Sequence, residues 1–421
     1  MKISMTFVAI SRAIKYALIV AAFAWGLVPT ALVFGEDIWD EKVQEARRQL
    51  KRDSKNPLLY EKLGWAYLER YMRTGNKSDG VRAINVFKKF VKIDDKEASA
   101  WYGLGVAYYK TGQTGKSGEY FNKAIELDGE LFQGQVAMGN YYLNKGMFRK
   151  AASHYQKAGA IQPKNQFVYT NLAQLYLAMG NYKKSIYFAD KALDIDPNNV
   201  HSNLVKARVF RFRGQNQKTG QILKRVLKEN SRNSEVIIEM AQNYYDTGDY
   251  KRAKSFALRH NMINETSGNG FELLANIYKR TGRISKMKGN ISVAEDLYHK
   301  KLVEGAVEFY GALSWLNSEY SLDKARALEY AWKYIKLKET AGSLKILAWA
   351  LYKNEEFKEA LQACKRAVKL NPWLAEHWYR LGMIQKKLNN TVQAKKAFRK
   401  ALTMGPKTYH EETKAELFAL K

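Results

Sequence analysis

Apolar residues recur at spacings of three and four along nearly the whole chain, which places them on one stripe of a helix rather than on one face of a strand. These amphipathic runs come in pairs. Within successive pairs the pattern is interrupted at Gly112, Gly146, Gly180, Gly214, Gly248 and Gly282, where the chain is expected to turn from one helix to the next. The chain laid on itself at an offset of 34 residues aligns segments beginning at Ala98, Phe132, Gln166, Val200, Ser234 and Gly268 without a gap. Each segment therefore predicts one helical hairpin. Its eighth position is small (Gly105, Gly139, Ala173, Ala207, Ala241, Ala275, Ala348, Gly382), as a close helix contact requires. The twentieth and twenty-seventh positions, such as Ala151 and Ala158 or Ala360 and Ala367, face that contact from the second helix. Pro163, Pro197, Pro372 and Pro406 end their segments by refusing to continue a helix.

The landmarks Trp101, Leu104, Gly105, Phe121 and Ala124 recur as Trp378, Leu381, Gly382, Phe398 and Ala401. With this period and these landmarks the chain resembles the tetratricopeptide-repeat family over roughly residues 57–408. The resemblance implies an all-α, right-handed α-solenoid of about ten hairpins, with first helices lining the concave side and atypical caps covering both ends. The expected organisation is a leader over 1–35, an N-terminal capping helix over 36–56, repeats 1–7 over 57–301, a possible joint at 302–306, repeats 8–10 over 307–408 and a C-terminal capping helix over 409–421. Ile38, Trp39, Val43, Ala46 and Leu50 carry the first cap, and Leu417, Phe418 and Leu420 the second. The first repeat has seven surplus residues around Arg73 to Gly80, which are expected to enlarge its turn. The unit from Gly268 runs five residues long, and the following one has Ser314 at the small position.

Composition adds a leader and a charge. Lys2, Arg12 and Lys15 precede twenty uncharged residues, Tyr16 to Gly35, after which Glu36, Asp37, Asp40 and Glu41 follow. This is the layout of an export signal, either cleaved after Gly35 or retained as a membrane anchor, with the remainder outside the cytoplasm. The formal charge is +29, a field that attracts polyanions and acidic proteins. The single cysteine, Cys364, excludes an internal disulfide and a cysteine-based zinc site, and its repeat position makes it a core thiol.

Candidate binding residues lie at first-helix positions that the hairpin does not use for packing. The ninth position reads Asn140, Gln174, Arg208, Gln242 and Asn276 in five successive repeats. In peptide-holding members of the family comparable polar ladders bond a partner's backbone, since amides serve both N–H and C=O; a plain solvated stripe would read the same way. Arg211 shares a helix face with Arg208, in a repeat with nine basic residues and one acid. That basic run is either a contact for an acidic partner or an exposed face. Tyr102, Tyr109, Phe167, Phe212, Tyr245 and Tyr352 serve either as anchors for a partner or as packing between repeats. The family's two-carboxylate clamp needs Lys at the fifth and Asn at the ninth position of one repeat; here Lys345 is accompanied by Trp349, which departs from it.

No catalytic pattern survives inspection. The stretch 111–120 lacks the first glycine of a phosphate loop, where Lys110 stands, and Ser117 lacks the second glycine of a nucleophile elbow, where Glu119 stands. His410 and Glu411 are followed by Lys414 rather than by the second His of a zinc helix. The expectation is an exported, non-enzymatic scaffold or adaptor without cofactor or metal, holding a polypeptide segment, acidic in character, at Asn140, Gln174, Arg208, Arg211, Gln242 and Asn276. Two other readings stand beside it: a structural subunit of an envelope or surface assembly, and a tether to an anionic envelope polymer or lipid. Nucleic acid is set aside because export removes it from reach, and membrane contact would come through the N-terminal segment if it is uncleaved.

Overall fold

The computed structural model describes residues 30–337, 339–404 and 410–420. Among them are 22 helices and no strand: α1 (Thr30–Arg52), ten helical hairpins, and α22 (His410–Phe418). The hairpins are α2/α3 (Pro57–Thr74, Lys77–Ile93), α4/α5 (Ala98–Lys110, Thr114–Leu127), α6/α7 (Phe132–Asn144, Phe148–Ile161), α8/α9 (Gln166–Ala178, Tyr182–Ile195) and α10/α11 (Val200–Phe212, Asn216–Glu229). They continue as α12/α13 (Ser234–Asp246, Tyr250–Ile263), α14/α15 (Asn269–Arg280, Ile284–Val303), α16/α17 (Phe309–Glu319, Lys324–Leu337), α18/α19 (Ala341–Lys353, Phe357–Leu370) and α20/α21 (Ala375–Lys387, Thr391–Met404). The chain divides into two compact units, residues 1–137 and 138–421, at a place where the repeat register shows no break.

Each hairpin closes through a residue in the left-handed region. The six predicted turn glycines have φ between +68° and +84°. In the last three hairpins Ser321, Glu355 and Asn389 take the same conformation without being glycine. The small eighth position is explained by what faces it. A Cβ on Gly105 would lie 2.6 Å from the Phe121 ring, on Gly139 2.4 Å from Tyr155, and on Gly382 2.5 Å from Phe398. The rings are themselves buried, so the glycines are the complement of an aromatic inserted from the second helix.

In the smaller unit the surplus residues of the first repeat do not enlarge its turn, as the sequence suggested. They lengthen both helices, to 18 and 17 residues against 13 and 14 in α4 and α5, and leave only Gly75 and Asn76 between them. The reason is local: Gly75 caps α2 at φ +69°, and Asn76 accepts from Ser78 N to start α3 at once. Asp79, 1% exposed, then receives both Nε and Nη2 of Arg70 at 2.8 and 2.7 Å, which holds the lengthened helices together. Burial pushes the Asp79 carboxyl up, but Arg70 and Arg82 overcome it and hold it below the usual carboxylate range. Arg70 also pairs with Asp40 of α1. Helix α1 buries Val43 and Ala46 against the first hairpin and begins at Thr30, ahead of Gly35. Cleavage after Gly35 would therefore shorten α1 without touching its packing residues.

In the larger unit the five surplus residues near Leu302 lengthen α15 to 20 residues, and the chain then turns through Gly305 at φ +94°. Ser314, at the small position of the next hairpin, donates from Oγ to the Ala327 carbonyl at 2.7 Å, so its hydroxyl is satisfied within the helix contact. Late hairpins of this unit also return to early ones. Asn371 Nδ2 donates to Ala178 O at 2.8 Å, and Trp373 O approaches Gly180 so closely that a Cβ there would lie 2.3 Å from it. Beside this seam is a cavity of about 320 Å³ lined by Met147, Phe148, Met179, Leu370, Pro372 and Trp373 among others.

Among the described residues no helix is long and apolar enough to cross a membrane. Residues 1–29, which hold most of the predicted leader, and Pro406 lie outside the described residues.

Candidate functional site

The first helices α6, α8, α10, α12 and α14 set the ninth-position residues one per hairpin, because each hairpin repeats the same register. Their side chains are not equally available. Asn140 Oδ1 accepts from the Tyr155 hydroxyl at 2.7 Å, so this amide braces its own hairpin. Asn276 Oδ1 likewise accepts from Tyr320 at 3.0 Å, and Gln242 Nε2 donates to Asp246 at 2.9 Å. Gln174 alone of the six predicted site residues is exposed.

The two arginines are paired with the next hairpin. Arg208 Nε donates to Glu239 at 2.6 Å and Nη2 to Glu235 at 3.2 Å, while Arg211 Nη1 donates to Asp246 at 2.7 Å. Burial works against the Arg208 charge, but Glu239 and Glu235 more than restore it. The basic excess of residues 200–233 is thus answered on its first helix by acids of α12, whereas Lys224 on α11 remains exposed. Sequence spacing brought the arginines together; their acid partners come from a different repeat, at positions the ninth-residue pattern does not sample.

The six aromatics separate in the same way. Tyr102 packs on Trp65 and Phe121, Tyr109 on Phe121, Phe212 on Tyr182, Tyr245 on Tyr250, and Tyr352 on Trp349. Phe167 does not follow them: it is 65% exposed, seven residues before Gln174 on the same face of α8.

Two polar clusters escaped the sequence reading. Glu272 of α14 is driven upward in pKa by burial, and it accepts from Tyr298 at 3.2 Å. Farther on, Glu376 of α20 receives Lys345 Nζ at 2.9 Å and Arg380 Nε and Nη2 at 3.0 and 2.9 Å. The Arg380 guanidinium lies over Trp315 and Trp349, 4.7 and 4.2 Å from their centroids. Lys345 is therefore engaged by a carboxylate of the chain itself. Its odd occurrence at a fifth position was the only signal of this cluster in the sequence. Cys364 is 2% exposed, 3.6 Å from the His377 carbonyl oxygen, and burial pushes its thiol up to about 12, as suits a core thiol. Among the described residues no group of three or more His, Cys, Asp or Glu side chains is placed to hold a metal.

Residues 98–131, 167–199 and 375–408 match the tetratricopeptide repeat. The chain is a tetratricopeptide-repeat protein. No curated protein matches the sequence. Solved structures similar to it include a tetratricopeptide repeat protein from Parabacteroides merdae, at 18% identity over 58% of this chain and 98% of that one with a TM-score of 0.49. Yeast Tom70 is similar at 15% identity over 96% and 95% with a TM-score of 0.42, and PilF of Pseudomonas aeruginosa at 18% over 49% and 95% with a TM-score of 0.40. Proteins built of these repeats bind proteins or peptides, and the array described here is a protein-interaction scaffold of that kind.

Proposed function

We propose that the larger unit captures a segment of another polypeptide along its first helices between Asn140 and Asn276, with Phe167 as the apolar anchor. The observation that carries this reading is the exposure of Phe167 on the same face of α8 as Gln174, while Phe212 and Tyr245 pack on Tyr182 and Tyr250 and the amides of Asn140, Gln242 and Asn276 are engaged. A large exposed ring costs solvation in the free chain and yields it back on contact, as interface anchors do. The Gln174 amide, two turns farther along the same face, offers a donor and an acceptor to a partner backbone. Arg208 and Arg211 would meet an acidic side chain of the partner only by exchanging it for Glu235, Glu239 or Asp246, so the partner's acid replaces an existing ion pair rather than filling a bare cationic site.

The reading extends to place. The uncharged run that follows Lys2, Arg12 and Lys15 supports export of everything after Gly35. A reporter enzyme active only outside the cytoplasm, fused after Lys421, should be active; an inactive fusion present at normal abundance contradicts export. For the capture, polypeptides that co-purify with the wild-type chain should be lost from the Phe167→Ala/Gln174→Ala variant and kept by Lys224→Ala. Unchanged recovery from the double variant contradicts the anchor.

A further inference from the structure

Helix α22 reaches farther than a cap requires. A cap must cover the last hairpin, and α22 does so: Thr413 is buried, Leu417 and Leu420 are partly covered, and Glu416 accepts from Lys386 of α20 at 2.7 Å. Yet Glu412 also lies 3.6 Å from Arg280, at the end of α14, three hairpins earlier. Arg280 is steadied there by Tyr245, whose hydroxyl accepts from Nε at 3.4 Å. The tail thus runs past the ends of first helices that carry Lys279, Arg280, Lys353 and Lys386. At these helix ends the basic side chains outnumber Glu319, which lies 3.8 Å from Lys279. Burial pulls the Lys353 ammonium down, and Lys279, Arg380 and Lys324 add to that effect while Glu319 opposes it. On the other side, burial and then Glu416 and Glu412 push the Tyr379 hydroxyl up to about 12, so the acids of the tail act on the wall itself.

We propose that this stretch, from Arg280 to Lys386, is a docking surface for an acidic helical segment of a partner protein, and that the chain's own α22 occupies it in the free molecule. The pattern that fits is two carboxylates one helical turn apart, as in Glu412 and Glu416, on a short helix with an apolar flank. The ion pairs are partly exposed, Arg280 and Glu412 at 58% and 44% and Lys386 and Glu416 at 36% and 25%, so solvent screens them and the tail is held loosely enough to be displaced. Being tethered, it still competes at an effective concentration in the millimolar range, and a free peptide of the same sequence cannot replace it until its charges are changed. This surface lies beyond Asn276 and is independent of capture at Phe167; either can fail without the other.

The test uses the full chain and a fluorescein-labelled peptide of residues 410–421. In the Glu412→Lys/Glu416→Lys chain, amides of 411–418 should lose hydrogen-exchange protection while the repeats keep theirs. That chain should bind the peptide about tenfold or more tighter than the wild-type chain, with an affinity that falls as salt rises. A peptide carrying the same two reversals should bind neither chain, and should bind the Arg280→Glu/Lys386→Glu chain instead. The proposal is overturned if tail protection survives the double reversal, since α22 is then only an apolar cap. It is overturned equally if the tail is freed but no charge-dependent peptide binding appears.

Discussion

The side-chain amide of Asn371 donates to the main-chain oxygen of Ala178 at 2.8 Å, joining residues 193 apart in the sequence. Asn371 is 2% exposed, and its own carbonyl oxygen accepts from His377 Nδ1 at 3.0 Å. A chain of three residues therefore pins the loop between two late hairpins against the turn of an early one, within the larger unit. In a repeat array that communicates chiefly between neighbours, this is a long-range contact that links distant repeats.

The seam makes one turn glycine unlike the others. Gly180, Gly248 and Gly282 share φ values of +68°, +78° and +69°, but a Cβ at Gly248 or Gly282 meets nothing within 4 Å, whereas at Gly180 it meets Trp373 O at 2.3 Å. Alanine at Gly248 or Gly282 should cost about 1 kcal/mol, the strain of a left-handed non-glycine residue. At Gly180 the backbone overlap should add roughly 1–3 kcal/mol more, because carbonyl oxygen cannot step aside as a side chain can. Thermal and urea unfolding of the three variants checks this, and equal losses would mean that the seam does not form.

Acid should weaken the same contact. His377 is 1% exposed, and burial, then Lys345, holds its pKa down to about 4. An unfolded chain takes up that proton near pH 6.5, before the folded one does, so stability is full above about 6.5 and falls as pH drops toward 4. The shift corresponds to about 3 kcal/mol. His377→Asn, whose amide can still donate to Asn371 O, should flatten the profile between pH 7 and 4.5; a variant profile parallel to that of the wild type would remove His377 from the account. Urea midpoints at half-unit pH intervals suffice.

The last three hairpins hold Ser321, Glu355 and Asn389 where the others have glycine. Glu355 is exposed at φ +67°, and its ion pair with Lys324 spans 4.0 Å in solvent. Glu355→Gly should relieve strain worth about 1–2 kcal/mol, less the greater entropy of glycine in the unfolded chain, for a net gain of roughly 0.5–1 kcal/mol. Asn389→Gly should gain less, since Asn tolerates the left-handed region. A loss of stability in Glu355→Gly contradicts the strain.

The hairpins were legible because their packing is local. Gly105, Gly139 and Gly382 stand opposite Phe121, Tyr155 and Phe398, while Ala173, Ala207, Ala241, Ala275 and Ala348 stand sixteen residues before Ala189, Leu223, Ala257, Ile291 and Cys364. Glycine admits a ring and alanine admits something smaller, so the exchange can be read at a fixed spacing along the chain. The ion pairs of Arg208 and Arg211 were not legible, because their acids reside in the next repeat and nothing in one repeat's register names them. The lengthened helices of the first repeat were misread for a related reason. Surplus residues look alike whether they extend a turn or two helices, and only the caps at Gly75 and Asn76 decide. The seam at Asn371 depends on how many hairpins separate its two sides, which no local pattern carries.

The central claim, capture of a polypeptide at the first helices, is tested most directly by a photo-crosslinking residue in intact cells. The full chain is made with p-benzoylphenylalanine at Phe167 on α8 or, as a control, at exposed Lys183 on α9. After irradiation, mass spectrometry should find one polypeptide segment joined at 167 and absent at 183, with its yield reduced when Gln174 is also replaced by Ala. Adducts of equal yield and identity at 167 and 183, or none at 167 from an abundant folded chain, would contradict the claim.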